Sequence, residues 1–179
     1  LIDYVNNVLG PISQFNGAKL PVSTFVPYTN GQVPLGSSAF EKRGIAIDVP
    51  VWNADTCVQC GNCAYVCPHA CIRPVVLTKE ELDNAPEGIK YKNAMMLDGL
   101  YYTMAISVLD CTGCGSCAQV CPARKKALEI VPAEDDVVYP TQDKYDYLFA
   151  NVSEKEVPFK ENTVKGSQFK QPLLEFSGA

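Results

Sequence analysis

Two copies of one cysteine run constrain this chain more than any other feature of its sequence. Residues 57–68 read CVQCGNCAYVCP and residues 111–122 read CTGCGSCAQVCP, and eight of the twelve aligned positions are identical. Eight of the nine cysteines fall inside the runs, and Cys71 lies outside both. An odd number of cysteines rules out complete disulfide pairing, and clustered cysteines without a secretory signal predict metal ligands.

Each run has the C-x2-C-x2-C-x3-C-P spacing that binds a 4Fe–4S cluster in bacterial two-cluster ferredoxins. Three thiolates two residues apart on a tight loop can reach three corners of one cube. Gly61, Gly113 and Gly115 allow the loop backbone to approach the cluster and to take positive φ. The fourth cysteine is too distant to complete the same cube. It starts the next segment, where Pro68 or Pro122 suits the first turn of a helix.

By the rule of these ferredoxins, the fourth cysteine of each run ligates the other cluster. We therefore predict ligands of cluster one at Cys57, Cys60, Cys63 and Cys121, and ligands of cluster two at Cys111, Cys114, Cys117 and Cys67. The chemistry indicated is transfer of single electrons, with no catalytic residues for a substrate. Structural zinc is the alternative, although zinc typically takes two separated C-x2-C pairs and requires no third cysteine or trailing proline.

Apolar residues near the runs are expected to form a small core that excludes water from the clusters: Val58, Val66, Ile72, Val120, Leu128 and Ile130.

Four other features have a structural and a functional interpretation. Cys71 could be a spare ligand or a redox thiol, but a small buried side chain is favoured. His69 could tune a cluster, although a hydrogen-bonded histidine is the simpler interpretation. The basic run Arg124–Lys126 could dock an acidic carrier, but a solvated surface is the default. Tyr65 is expected to pack on a cluster rather than to relay electrons.

Composition excludes several classes of function. The net charge of −5 gives no support to nucleic-acid binding, and the hydrophobic content of 47% suits a globular protein. No uninterrupted apolar stretch reaches the 18 or so residues of a membrane span, and no secretory signal is recognisable. We therefore predict a cytoplasmic protein. Because the chain begins with Leu1, we also expect it to be a processed or excised piece.

The predicted fold is α+β, a two-cluster ferredoxin-like domain over residues 45–133 with an insertion between the runs, where 43 residues separate Cys67 from Cys111. A capping box at Thr78–Glu81 predicts a short helix near 79–84, followed by a turn at 84–88. Three strands are predicted, at 45–51, 99–109 and 128–131, and Pro50 makes the first of them short or an edge.

The flanks are predicted to be extended and rich in loops. Residues 1–44 form an N-terminal arm or linker in this prediction, with prolines and glycines through 10–38. Residues 134–179 form a C-terminal linker, whose apolar clusters at 145–149 and 173–176 cannot bury much surface alone. We expect both flanks to wrap onto absent parts of a larger protein rather than to be disordered.

At these residues the sequence resembles the multidomain 2-oxoacid oxidoreductases, specifically the pyruvate:ferredoxin (flavodoxin) oxidoreductase family. Besides the two runs, which many ferredoxin modules share, the resemblance is carried by Leu20–Ser23, Glu41–Ala46, Val108–Cys114, Thr163–Phe169 and Gln171–Ala179. Cys71 stands where the family usually has alanine, which favours its structural role.

The resemblance implies an electron-transfer segment of an anaerobic, dimeric enzyme that oxidises pyruvate with coenzyme A. Thiamine pyrophosphate, Mg and a third 4Fe–4S cluster would belong to absent parts of that enzyme, including a thiamine domain after residue 179. Electrons would pass through the two clusters to ferredoxin or flavodoxin. A free-standing two-cluster ferredoxin and a non-redox scaffold that uses metal to fold are the alternative functions.

Overall fold

The computed structural model describes residues 1–170, which form two compact units, one over Leu1–Lys42 and one from Arg43 onward. The predicted apolar cluster at 173–176 and the resemblance at Gln171–Ala179 lie outside the described residues. Within residues 1–170, no helix has both the length and the apolar character needed to cross a membrane.

The first unit consists of short helical segments, in keeping with its many prolines and glycines. Helix α1 (Ile2–Tyr4), a π-helical turn (Val5–Leu9) and α2 (Gly10–Ser13) follow one another directly, and 3₁₀ helices span Gly17–Lys19, Val22–Tyr28 and Ser37–Phe40. Val8 and Leu9 are buried, and the rings of Tyr4 and Tyr28 meet edge to face with centroids 5.1 Å apart.

The second unit contains two small antiparallel sheets. Strand β1 (Asp48–Trp52) pairs with β5 (Leu128–Pro132), with Pro50 opposite Ile130. The other sheet has the order β2-β4-β3, built from Ile72–Leu77, Tyr101–Ile106 and Lys92–Asn93. The three strands predicted from the sequence are confirmed. Strand β2 was not predicted, because Arg73 and Pro74 interrupt its apolar pattern.

Five helices of the second unit connect and cover these sheets: α3 (Asn62–Val66), α4 (Lys79–Asp83), α5 (Ser116–Gln119), α6 (Asp135–Asn151) and α7 (Val164–Lys170). Helix α4 and its capping box are confirmed. The Glu81 amide donates to Thr78 Oγ1 at 3.2 Å, and the Thr78 amide donates to Glu81 Oε2 at 2.8 Å. The described architecture is therefore mixed helix and sheet, of the α+β class.

The prediction that a helix begins at Pro68 or Pro122 is wrong. The helix of each run lies before the proline, since α3 and α5 start directly after Gly61 and Gly115. The residue preceding a proline is disfavoured in the α-helical region, and Cys67 is indeed extended, with φ −67° and ψ 115°. The chain leaves Pro68 through a turn and enters β2.

The predicted core around the runs is correct only in part. Ile72 and Leu128 are almost completely buried, but Val58 and Val120 are 48% and 38% exposed, and Ile130 is also exposed. The larger buried cluster instead draws on Trp52, Tyr102 and residues from the two sheets. Loop valines beside the cysteines therefore face outward, while strand residues supply the apolar packing.

Helix α6 was not recognised in the sequence, where residues 134–179 were predicted to be a linker. Its 17 residues place Leu148 against a second buried cluster that contains Leu77, Leu82 and Ala105. The apolar positions at Tyr145, Leu148 and Phe149 are one turn apart, so they share one face of the helix. Charged residues elsewhere on the helix obscured that pattern.

Candidate iron–sulfur centres

The cysteines of the two runs line two separate cavities of the second unit. One cavity, of about 320 Å³ including its open part, is lined by Cys57, Cys60, Cys63 and Cys121. The other, of about 410 Å³ on the same measure, is lined by Cys67, Cys111, Cys114 and Cys117, together with Cys71. We call these the first and the second cavity. Each brings together three cysteines of one run and the fourth cysteine of the other.

The four cysteine thiols of each cavity line its wall and do not converge on the position of a single ion. Among residues 1–170, no three His, Cys, Asp or Glu side chains come close enough to hold a single metal ion. A tetrahedral zinc site needs four donors at about 2.0–2.3 Å from one ion. Four thiols around a cavity are the donor set of a 4Fe–4S cluster. The donor set of each cavity therefore fits a 4Fe–4S cluster.

The two loops repeat the same backbone geometry. The third residue of each run, Gln59 or Gly113, has positive φ, as does the glycine after the second cysteine. The predicted positive φ of Gly61, Gly113 and Gly115 is confirmed. The Gln59 amide donates to Cys57 Sγ and the Gly113 amide donates to Cys111 Sγ, both at 3.4 Å. The loops thus turn backbone N–H groups toward their own sulfurs.

Gln59 is a supporting residue that the sequence analysis missed. It is buried, its side-chain amide donates to the Asn93 carbonyl at 2.7 Å, and the Met95 amide donates to its Oε1 at 2.8 Å. These bonds tie the first loop to the segment around β3 and support a left-handed backbone that is costly for a residue with a Cβ. Alignment of the two runs offered one signal, because Gln59 stands opposite Gly113.

Three lysines interact with cysteines of the first cavity. Lys92 Nζ donates to the Cys57 carbonyl and Lys126 Nζ to the Cys121 carbonyl, both at 2.7 Å. Burial lowers the pKa of Lys165, which also faces Cys57 and Cys60. The backbone of Lys165 on α7 comes so close to Gly61 that a Cβ there would lie 3.3 Å from its Cα. Helix α7 therefore covers the first loop.

Cys71 lies beside two cysteines of the second cavity. Its sulfur is 3.6 Å from Cys67 Sγ, and its thiol donates to the Asp110 carbonyl at 3.3 Å. Hydrogen bonding with Cys71 lowers the pKa of Cys67 to about 6 and that of Cys111 to about 7, whereas contact with Cys111 and Cys67 raises the pKa of Cys71 itself. Hydrogen bonding with Cys71 thus favours the ionised form of Cys67 and Cys111, which is the form that metal ligands need.

Burial acts in the opposite direction on the inner cysteine of each run. It raises the pKa of Cys63 to about 12 and that of Cys117 to about 11, and the neighbouring cysteines add to the effect. Bound iron would have to replace these protons, because a coordinating thiol is deprotonated outright.

The remaining residues considered in the sequence have different positions. His69 lines the second cavity, and Arg124, Lys125 and Lys126 are exposed. The expectation that Tyr65 packs on a cluster is wrong, because its side chain is 65% exposed.

Comparison with known proteins agrees with this geometry. Residues 53–124 match the family described as a 4Fe-4S dicluster domain, and residues 2–46 match a domain of unknown function. Together with the two four-cysteine cavities, the first match indicates a 4Fe–4S dicluster domain over residues 53–124.

Longer similarities are found to pyruvate oxidoreductases. The chain is 48% identical over 178 residues to pyruvate-flavodoxin oxidoreductase of Klebsiella pneumoniae and 47% identical over 176 residues to that of Enterobacter agglomerans. It is 47% identical over 180 residues to pyruvate:ferredoxin oxidoreductase of Moorella thermoacetica. These matches cover 98–99% of the chain but only 15% of each relative. Over nearly its whole length the chain is therefore similar to one segment of the pyruvate:ferredoxin (flavodoxin) oxidoreductases.

Proposed function

We propose that this chain is the electron-transfer segment of a pyruvate:ferredoxin (flavodoxin) oxidoreductase. Cys57, Cys60, Cys63 and Cys121 would hold cluster one, and Cys111, Cys114, Cys117 and Cys67 would hold cluster two. The grouping of these sulfurs into two cavities is the observation that supports this assignment most. Each cavity has four thiols from both runs, so neither run completes a centre by itself.

Residues of this chain would bind the iron, stabilise negative charge on the ligands and exclude water from the clusters. The eight thiolates bind iron, and the amides of Gln59 and Gly113 stabilise negative charge on Cys57 and Cys111. Strand residues such as Trp52, Tyr102 and Leu128 exclude water from the first cavity. A 4Fe–4S cluster supplies one-electron redox chemistry when bound, with a potential that depends on hydrogen bonds and exposure.

The activity of the complete protein is proposed from its relatives. We infer oxidation of pyruvate with coenzyme A by a cytoplasmic, anaerobic homodimer, with thiamine pyrophosphate, Mg and a third 4Fe–4S cluster outside this chain. Ferredoxin or flavodoxin would accept the electrons. We also propose the finer fold, a ferredoxin-like domain at 45–133 with an insertion between the runs, flanked by an arm at 1–44 and a linker at 134–179.

Metal content and spin state test this function directly. The full 179-residue chain would be prepared anaerobically, analysed for iron, sulfide and zinc, and examined by electron paramagnetic resonance (EPR) after reduction with dithionite. We expect about eight irons per chain and magnetically interacting spectra from two reduced clusters. Stoichiometric zinc, or iron without a reducible signal, would contradict electron transfer.

A further inference from the structure

Trp52 carries a buried hydrogen-bond donor that lacks a partner. The residue ends β1, its side chain is only 5% exposed, and its Nε1 atom has no hydrogen-bond partner within the described part of the chain. An indole N–H can only donate, and buried donors are almost always paired. The Trp52 N–H therefore needs an acceptor other than the protein atoms of residues 1–170.

The position of Trp52 suggests what that acceptor is. The residue lines the first cavity together with Cys57, Cys60, Cys63 and Cys121. Tyr102 lines the same cavity, with its ring centroid 6.1 Å from that of Trp52, but its hydroxyl already donates to Met104 Sδ at 2.9 Å. Of these two aromatic donors in the cavity wall, only Trp52 has no acceptor among the described residues.

We propose that Trp52 Nε1–H donates a hydrogen bond to a sulfur of cluster one and makes that cluster easier to reduce. The inference rests on the proposed function, because it requires a cluster in the first cavity. Reduction adds negative charge to the sulfurs, so a donor aimed at them stabilises the reduced form more than the oxidised form. The chain has a single tryptophan, so the second cavity has no indole donor. Trp52 thus raises the reduction potential of cluster one and not that of cluster two.

Trp52→Phe keeps the ring and removes the donor. Both cluster potentials would be measured by EPR-monitored redox titration of the full chain, with a Cys114→Ala chain identifying the signal of cluster one. We expect the reduction equilibrium of cluster one to fall about tenfold, which for one electron is a shift of about 59 mV to more negative potential. The potential of cluster two should stay unchanged.

Tyr102→Phe is the matched control. It keeps the ring in the same cavity wall and removes a hydroxyl that is occupied by Met104, so the potential of cluster one should shift less than in Trp52→Phe. The inference is overturned if Trp52→Phe shifts neither potential or shifts both equally. It is also overturned if Tyr102→Phe produces the same shift as Trp52→Phe.

A second measurement needs no variant and so does not depend on whether Trp52→Phe folds. Because Trp52 is the only tryptophan, ¹⁵N-indole labelling of the full chain marks one nitrogen. Pulsed EPR on the reduced chain should detect a ¹⁵N hyperfine coupling, and the N–H proton should exchange in D₂O.

A chain with eight irons but no coupling refutes the inference alone. A chain without iron refutes the proposed function instead.

Discussion

The crossed ligation predicts that each fourth cysteine belongs to the cluster of the other run. Cys67→Ala removes one of the four cysteines assigned to the second cavity, and Cys121→Ala removes one of those assigned to the first. Each change should therefore damage one cluster out of two. From about eight irons per chain, the content should fall to about four if the cluster is lost, or to about seven if a three-iron form survives.

Comparing the EPR spectra of different cysteine variants identifies the damaged cluster without prior assignment of either cluster's signal. Cys114→Ala and Cys60→Ala disrupt the second and first clusters from within their own runs. The EPR spectrum and iron content of Cys67→Ala should match those of Cys114→Ala, and those of Cys121→Ala should match Cys60→Ala. The swapped assignment is refuted if Cys67→Ala instead resembles Cys60→Ala.

Cys71→Ala is the control for these variants. Its sulfur lies beside Cys67, but the second cavity already has four cysteines of the two runs without it, so about eight irons should remain. Loss of iron in this variant would make Cys71 a ligand and would require a revised donor set.

Three further predictions concern stability and loop geometry. Hydrogen bonds from Lys155 and neighbouring groups outweigh burial and lower the pKa of Glu81 to about 2 from 4.5, so this stabilisation is complete above pH 4.5 and is lost as the pH falls toward 2. Lys155→Met should lower the free energy of unfolding by about 1 kcal/mol near neutral pH, after allowance for solvent screening. Between pH 5 and 2, the free energy of unfolding measured with denaturant should then depend less on pH than in the unchanged chain. An unchanged pH dependence would contradict the pairing. Gly113→Ala should reduce cluster-two iron, because φ is +71° and a Cβ would lie 3.0 Å from a backbone oxygen, whereas Gly99→Ala, at φ +77° with no atom within 4 Å and outside both cavity linings, should retain more iron. Leu148→Ala should lower the free energy of unfolding by about 2–5 kcal/mol, and a loss below about 1 kcal/mol would show that α6 does not pack as described.

The cysteine runs were predictable because their spacing is dictated by local chemistry. The ligand geometry of a cube fixes distances over a few residues, and the capping box at Thr78 likewise depends on neighbours three positions apart. Strands such as β4 were visible in their composition. These features need no knowledge of distant residues.

Features that depend on tertiary contacts were not predictable. Strand β2 contains Arg73 and Pro74 but is stabilised by pairing with β4 along its whole length. The left-handed backbone of Gln59 depends on bonds to Asn93 and Met95, more than thirty residues away. Tyr65 was assigned to a cluster from its place in the run, yet its direction depends on α3, which points it outward.

Helix α7 has a consequence for how the protein matures. Its backbone lies against Gly61, and the rings of Phe169 and Tyr102 meet edge to face with centroids 6.3 Å apart, so the last described helix packs beside the first loop. A ribosome completes this segment after both cysteine runs have emerged. The packing around the first loop is therefore complete only after this helix has been synthesised and has docked.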